Sequence, residues 1–260
     1  MRRSNASLVE RLRANELLIG TLLSARCPEL AEAFSLVGFD WFFIDLEHST
    51  LDVAAAQQTM QAIADRAYSV IRIPGLAEEH FKKALDAGCD GVVVPMIKSK
   101  EMAEAAVQFA KYPPLGSRGA GIGRAQGFGL NFAEYVATAN ARVALILQIE
   151  HIDAVNRIGE ILAVPGFDAI FIGPYDLSGS MNRLGEVSAP EVLEAIARVR
   201  AACLSARVPF GSFTMSVEQA QSEIDAGARL MAIGTDVSFM LARAKEVIDA
   251  FPRSSQGSSE

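Results

Sequence analysis

The stretch WFFIDLEHST, Trp41 to Thr50, changes character half-way along. Trp41 to Ile44 is continuously aromatic and aliphatic, the pattern of a strand covered on both faces rather than one with a wet side. Asp45, Glu47 and His48 then arrive within four residues. A buried carboxylate costs on the order of several kcal/mol unless it is paired or bound to a cation. The strand therefore ends in a helix cap, an ion pair or a site of chemistry, and the rest of the chain has to choose among them.

Working outward, seven further runs share the apolar character of WFFIDLE (41–47). They are LLIGTLL (17–23), SVIRIP (69–74), GVVVPMI (91–97), VALILQIE (143–150), AIFIGPYD (169–176), PFGSFTM (209–215) and RLMAIGTD (229–236). Helical patterns fill most of the intervals. DVAAAQQTMQAIADR carries no breaker, and APEVLEAIARVRAACLSAR places Pro190 in its first turn. EEHFKKALDAG and VEQAQSEIDAG both end in DAG, so one helix-to-strand joint is expected twice, with glycine in the left-handed conformation. Eight both-faces-covered strands alternating with helices predict a single-domain TIM (β/α)8 barrel, with a doubly wound open sheet as the competing topology. The barrel is expected over 1–252, with 253–260 as a frayed tail.

One interval breaks the rhythm. YPPLGSRGAGIGRAQGFGL (112–130) is glycine-rich and aperiodic, and reads either as a ligand loop, with Arg118 and Arg124 able to meet an anion, or as a bland excursion. Its glycines do not follow the dinucleotide fingerprint.

The whole-chain balance narrows the classes. The chain has 260 residues, half of them hydrophobic, and a net charge of −7. That charge gives no footprint for nucleic acid or an anionic membrane. No apolar run approaches the ~20 residues that span a bilayer, and the charged start MRRSNASLVERLRANE is not a signal peptide. Cys27, Cys89 and Cys203 lie far apart without metal spacing, so reduced thiols and a cytoplasmic location are expected.

In a TIM barrel, catalytic groups gather at the C-terminal ends of the strands. Here those ends carry Asp45, Glu47 and His48, then Arg72, then Gln148 and Glu150, then Gly173, Pro174, Asp176 and Ser178, and finally Thr235 and Asp236. Each has a structural reading: Arg72 as an ion-pair partner of Glu47, and Glu150, Asp176 and Asp236 as caps of the helices that follow. His151 reads as an exposed turn residue rather than a ligand. Glu150 and Asp176, from neighbouring strands with no lysine at either end, together make a hard-oxygen site with open positions, suited to Mg²⁺ or Mn²⁺. Lys98, which precedes a helix start, is the one lysine near a strand end, so Schiff-base chemistry is not indicated.

These residues, in this order, resemble the metal-dependent pyruvate aldolases of the HpcH/HpaI aldolase/citrate lyase family. The likeness runs from IGTLLSARCPELAEAFSLVGFDWFFIDLEHS through VIRIPG, LDAGCDGVVVPMIKS, YPPLGSRGAG and LILQIE to FIGPYDLSGSMN. It implies a TIM barrel, a homotrimer or homohexamer whose partner subunits complete the sites, and a divalent metal (Mg²⁺ or Mn²⁺, with Co²⁺ or Zn²⁺ also compatible) on Glu150 and Asp176. It also implies His48 paired with Asp45 as the base, Arg72 at the ketone oxygen, and Gln148, Gly173, Pro174 and Ser178 lining a 2-oxo acid pocket. Asp86 matches an acid contributed near a neighbouring subunit's site. The implied reaction is reversible cleavage of a 4-hydroxy-2-oxo acid, of the 2-dehydro-3-deoxyglucarate or 2,4-dihydroxyhept-2-enedioate type, to a 2-oxo acid such as pyruvate plus an aldehyde. Tyr175, where many relatives have alanine, and His151 depart from the pattern. Competing readings are an acyl-CoA or other carbon–carbon lyase of the citrate lyase branch, and a non-catalytic barrel used for binding.

Overall fold

The computed structural model describes residue 3 and residues 5–251, so the expected tail at 253–260 lies outside the described residues. Each of the eight apolar runs forms a strand: β1 (Leu18–Leu23), β2 (Trp41–Asp45), β3 (Tyr68–Arg72), β4 (Gly91–Val94), β5 (Ala144–Ile149), β6 (Ala169–Ile172), β7 (Phe210–Thr214) and β8 (Leu230–Thr235). They pair in parallel in chain order, and β8 pairs back onto β1. The sheet is thus a closed barrel, which excludes the open doubly wound alternative.

Twelve α-helices surround it among the described residues. The first six are α1 (Leu8–Arg13), α2 (Pro28–Ser35), α3 (Val53–Ile63), α4 (Glu78–Asp86), α5 (Lys100–Ala110) and α6 (Phe132–Arg142). The others are α7 (Ile152–Asn156), α8 (Ile158–Leu162), α9 (Pro174–Ser180), α10 (Pro190–Ala206), α11 (Val217–Asp225) and α12 (Asp236–Asp249). None of them is long and apolar enough to cross a membrane. Short polar side chains start several helices by accepting a backbone N–H: Asp52 from Ala55, Ser99 from Met102 and Ser216 from Gln219. The two DAG joints behave alike, with Gly88 at φ +87° and Gly227 at φ +102°, a region open to glycine at little cost.

Period-two alternation along a strand explains how the barrel interior is built. Trp41 and Phe43 of β2, Tyr68 and Val70 of β3, and Ala144 and Ile146 of β5 belong to one buried cluster inside the barrel, joined at its N-terminal end by Leu8 and Leu12 of α1. Phe171 meets Phe43 and Trp41 edge-on at 5.3 and 6.2 Å between ring centroids. Trp41 packs so close to β1 that a Cβ at Gly20 would lie 2.5 Å from its carbonyl oxygen, so that position requires glycine. The next inward positions up the same three strands are Asp45, Arg72 and Gln148. The barrel's apolar filling therefore carries a polar top layer at the C-terminal end.

Two local expectations need correction. Asp236 does not cap the last helix: Thr235 does, accepting from Ser238 N–H, while the buried Asp236 carboxylate accepts from Ser24 and Ala25 N–H and ties β8 to the loop after β1. The glycine-rich interval leads from α5 into α6 and β5, which places it at the N-terminal end of the barrel, away from the polar layer. Arg118 and Arg124 are not free for an anion. Arg118 Nη2 donates to Asp86 Oδ1 at 2.8 Å, and Arg124 Nη1 donates to the Ala87 carbonyl at 2.9 Å, so both fasten the interval to the end of α4.

Candidate active site

β2 and β3 are in register with Asp45 opposite Arg72. The guanidinium donates twice to one carboxylate, Nε to Oδ1 at 2.8 Å and Nη2 to Oδ2 at 2.7 Å, in a two-pronged pair with both residues buried. Burial alone would raise the Asp45 carboxyl, but the Arg72 hydrogen bonds and charge outweigh it and hold the carboxyl below its ordinary range. Asp45 Oδ1 also accepts the backbone N–H of Glu47 and His48, which turns the chain sharply after the strand. Arg72 lies 5.2 Å above the Phe43 ring, so the clamp sits directly on the apolar filling.

This arrangement corrects one expected contact. The Asp45 carboxylate is engaged by Arg72 and two backbone amides, and the carboxylate beside the His48 ring belongs to Glu47, 3.7 Å from Nε2. His48 itself stands at the rim with its side chain 62% exposed. Glu47, which sequence reading treated only as an ion-pair partner, reaches 3.3 Å from Arg72 Nε and leaves its Oε2 buried without a hydrogen bond. Burial, with Asp45 and Asp176 adding to it, raises the Glu47 carboxyl above its usual range. The signal that could have found it is the spacing of Asp45 and Glu47, two residues apart at a strand end, which brings both acids to one arginine.

Glu150 follows β5 and is 2% exposed. Oε1 accepts Met96 N–H at 2.7 Å, and Oε2 accepts the Gln148 side-chain amide. A Cβ at Gly173 would lie 2.7 Å from Glu150 Oε2 and 3.1 Å from Gln148 Nε2, so glycine there makes room for both side chains. The other amide atom, Gln148 Oε1, is buried without a partner. Burial, reinforced by the Glu47 and Asp176 charges, pushes the Glu150 carboxyl up to about 7 against the Met96 hydrogen bond.

Gly173 and Pro174 open α9 and bring exposed Asp176 into its first turn, where a carboxylate suits the helix terminus. A cavity of about 180 Å³ at this end has Arg72, Gln148, Gly173 and Asp176 in its wall, over a floor that includes Phe43 and Phe171. Pro174, Tyr175 and His48 border it as well. Ser178 does not: its hydroxyl donates to the Tyr175 carbonyl at 2.6 Å and accepts Gly185 N–H at 3.1 Å, so it is a support under the wall. His151 caps α7, with Nδ1 accepting Asp153 N–H at 3.1 Å, and that nitrogen is not available to a cation. Asp86 lies at the far end of the barrel with Arg118, apart from the cavity of its own chain.

The donor set fits a divalent cation. Glu150 is a buried carboxylate contacted by N–H donors alone, with further negative charge from Glu47 and Asp176, and a hard cation is the partner that would relieve all three. Among the described residues no three histidine, cysteine or acidic side chains gather into a closed site. A cation on Glu150 and Asp176 would thus keep open positions.

The family model described as HpcH/HpaI aldolase/citrate lyase matches residues 19–242. A hydroxypyruvate/pyruvate aldolase of Paraburkholderia phytofirmans is 36% identical over 249 residues, 93% of this chain and 95% of that one. A 4-hydroxy-2-oxovalerate aldolase of Novosphingobium aromaticivorans is 36% identical over 89% of this chain and 88% of its own. Among solved structures, an HpcH/HpaI aldolase/citrate lyase family protein of Burkholderia cenocepacia superposes with a TM-score of 0.90 at 37% identity, covering 94% of this chain and 98% of that one.

Proposed function

Since the chain belongs to the HpcH/HpaI aldolase/citrate lyase family and is a carbon–carbon lyase of its aldolase kind, we propose that it reversibly cleaves a 4-hydroxy-2-oxo acid to pyruvate, or a related 2-oxo acid, plus an aldehyde, with the help of a divalent cation. The observation that carries the reading is Glu150: a carboxylate 2% exposed, hydrogen-bonded by N–H donors alone, beside Gln148 and Gly173 of a cavity that Arg72 and Asp176 also border. The likeness to the Novosphingobium 4-hydroxy-2-oxovalerate aldolase supports the same substrate class.

Glu150 and Asp176 would hold Mg²⁺ or Mn²⁺, and the ion, when bound, supplies Lewis-acid polarisation of the 2-oxo group. The chain's own residues do the rest. Asp45 fixes the Arg72 guanidinium before substrate arrives, so the N–H donors left over face developing negative charge without having to reorganise. That charge grows on the ketone oxygen as the bond between C3 and C4 breaks. Gly173 leaves the space in which Gln148 and the 2-oxo acid carboxylate meet. His48, at the rim with Glu47 3.7 Å from its Nε2, takes the proton from the C4 hydroxyl. Asp86 serves the site of a neighbouring copy in a cytoplasmic homotrimer or homohexamer.

The test is a retro-aldol assay on a panel of 4-hydroxy-2-oxo acids with pyruvate release as readout. Activity is expected to vanish with a chelator and to return with Mn²⁺ or Mg²⁺. Full activity in the chelator contradicts the metal role.

A further inference from the structure

We infer that Tyr175 selects the aldehyde half of the substrate, and that it favours uncharged aldehydes with an apolar face over aldehydes ending in a carboxylate, phosphate or sulfonate. The inference rests on the aldolase reading and names the substrate class of the same site.

Two sets of observations meet here. The first is charge. The charged or chargeable side chains bordering the cavity are Arg72, Asp176 and His48. Arg72 is held by Asp45 through two hydrogen bonds and has Glu47 at 3.3 Å, and the His48 ring has Glu47 at 3.7 Å. Asp176 is itself an acid. A second anionic group, on the aldehyde, therefore meets no cation that lacks a carboxylate among the described residues of this wall, and leaving such a group unpaired is unfavourable.

The second is the ring. Tyr175 is 60% exposed at the start of α9, one residue before Asp176, and it borders the cavity. Its ring stands near the loop that follows α9. A Cβ at Gly185, which is at φ +86°, would make ordinary contact with the ring, 3.4 Å from the phenol oxygen and 3.8 Å from Cζ. The Ser178 hydroxyl joins the Tyr175 carbonyl to the Gly185 amide, locking the ring's backbone to the loop that supports it. Leu22 and Phe213 extend the apolar surface around the same space. A planar aromatic face with a polar tip binds apolar or aromatic groups by stacking and tolerates a hydroxyl beside its own.

The experiment measures pyruvate addition to butanal, benzaldehyde and succinic semialdehyde with Mn²⁺, in the wild type, Tyr175→Ala and Tyr175→Phe. Exchange of the pyruvate methyl protons in D₂O, which involves no aldehyde, is followed in parallel. The wild type is expected to show at least a tenfold higher kcat/KM for benzaldehyde than for succinic semialdehyde. Tyr175→Ala is expected to reduce that ratio about tenfold, mainly through the aldehyde KM, with addition falling relative to exchange. Tyr175→Phe is expected to keep most of the ratio. A wild type that prefers the carboxylated aldehyde, or a ratio unmoved in Tyr175→Ala, overturns the inference while exchange still supports the aldolase reading. A wild type with neither exchange nor addition overturns that reading, and this inference with it.

Discussion

Lys111 and Asp168, at the N-terminal end of the barrel, and Gln148 and Glu150, at the C-terminal end, are comparably buried and differently provided for. Lys111 Nζ donates to the carbonyls of Asn140 and Val143 and lies 3.4 Å from Asp168, whose Oδ2 also takes Leu145 N–H. Charge meets opposite charge there, with backbone groups completing the donors and acceptors. At the other end Gln148 Oε1 and Glu47 Oε2 have no hydrogen bond, and Glu150 has acids for charged neighbours as well as Arg72. Native proteins rarely leave buried polar atoms unpaired without a use for them. The Lys111–Asp168 pair is built to stay shut, and the Gln148–Glu150 corner is built to be completed by a guest.

The contrast can be broken from either side. Lys111→Met takes the buried ammonium from Asp168, which keeps Leu145 N–H and the exposed Arg13 at 3.6 Å, and is expected to cost about 1–3 kcal/mol of stability, read as a lower denaturation midpoint, while the fraction that remains folded keeps its kcat. A large loss of kcat with unchanged stability would mean that the N-terminal end is not merely structural. Arg72→Ala attacks the other end. It is expected to lower retro-aldol kcat on the order of 10²- to 10³-fold by removing donors aimed at the developing oxyanion. Activity near wild type would remove Arg72 from the account.

The sequence was informative where the physics is local and periodic. Each continuous apolar run marks one strand, although the second, third, fourth and sixth runs extend past the strand's end, and the two DAG joints appeared as positive-φ glycines. That Arg72, Gln148, Gly173 and Asp176 border one cavity was legible, because strand ends in a barrel converge whatever the details. Pairings were less legible. Asp45 reaches Arg72 rather than the His48 ring because the β2–β3 register puts them opposite each other, and register is a property of two strands. Glu47 went unranked for the same reason. Arg118 and Arg124 looked free because the residues that hold them, Asp86 and the Ala87 carbonyl, lie more than thirty positions away. Ser178 looked like a pocket wall, yet a helix turn directs its hydroxyl back to Tyr175.

Two smaller effects sharpen the comparison. His48→Ala is expected to slow aldol cleavage about 10²-fold and pyruvate proton exchange by less, because its proton comes from the C4 hydroxyl; equal slowing of both would assign it another role. The last concerns pH. Glu150 in the folded, metal-free protein holds its proton to about 7, above its ordinary 4.5. A carboxyl whose pKa rises on folding binds its proton more tightly in the native state, so its effect on stability worsens as pH climbs from about 4.5 to 7. Metal-free wild type should therefore lose roughly 1–3 kcal/mol relative to Glu150→Gln across that window, as followed by thermal denaturation in chelator. Parallel curves for the two proteins would mean that the carboxyl titrates normally.

The most direct measurement is a calorimetric titration of the metal-free protein with Mn²⁺, with and without pyruvate, in wild type and Glu150→Gln. One ion per chain is expected in the wild type, bound more tightly when pyruvate is present, with the binding lost in Glu150→Gln although that variant remains folded. Equal Mn²⁺ affinity in the two proteins would contradict the cation site from which the proposed chemistry follows.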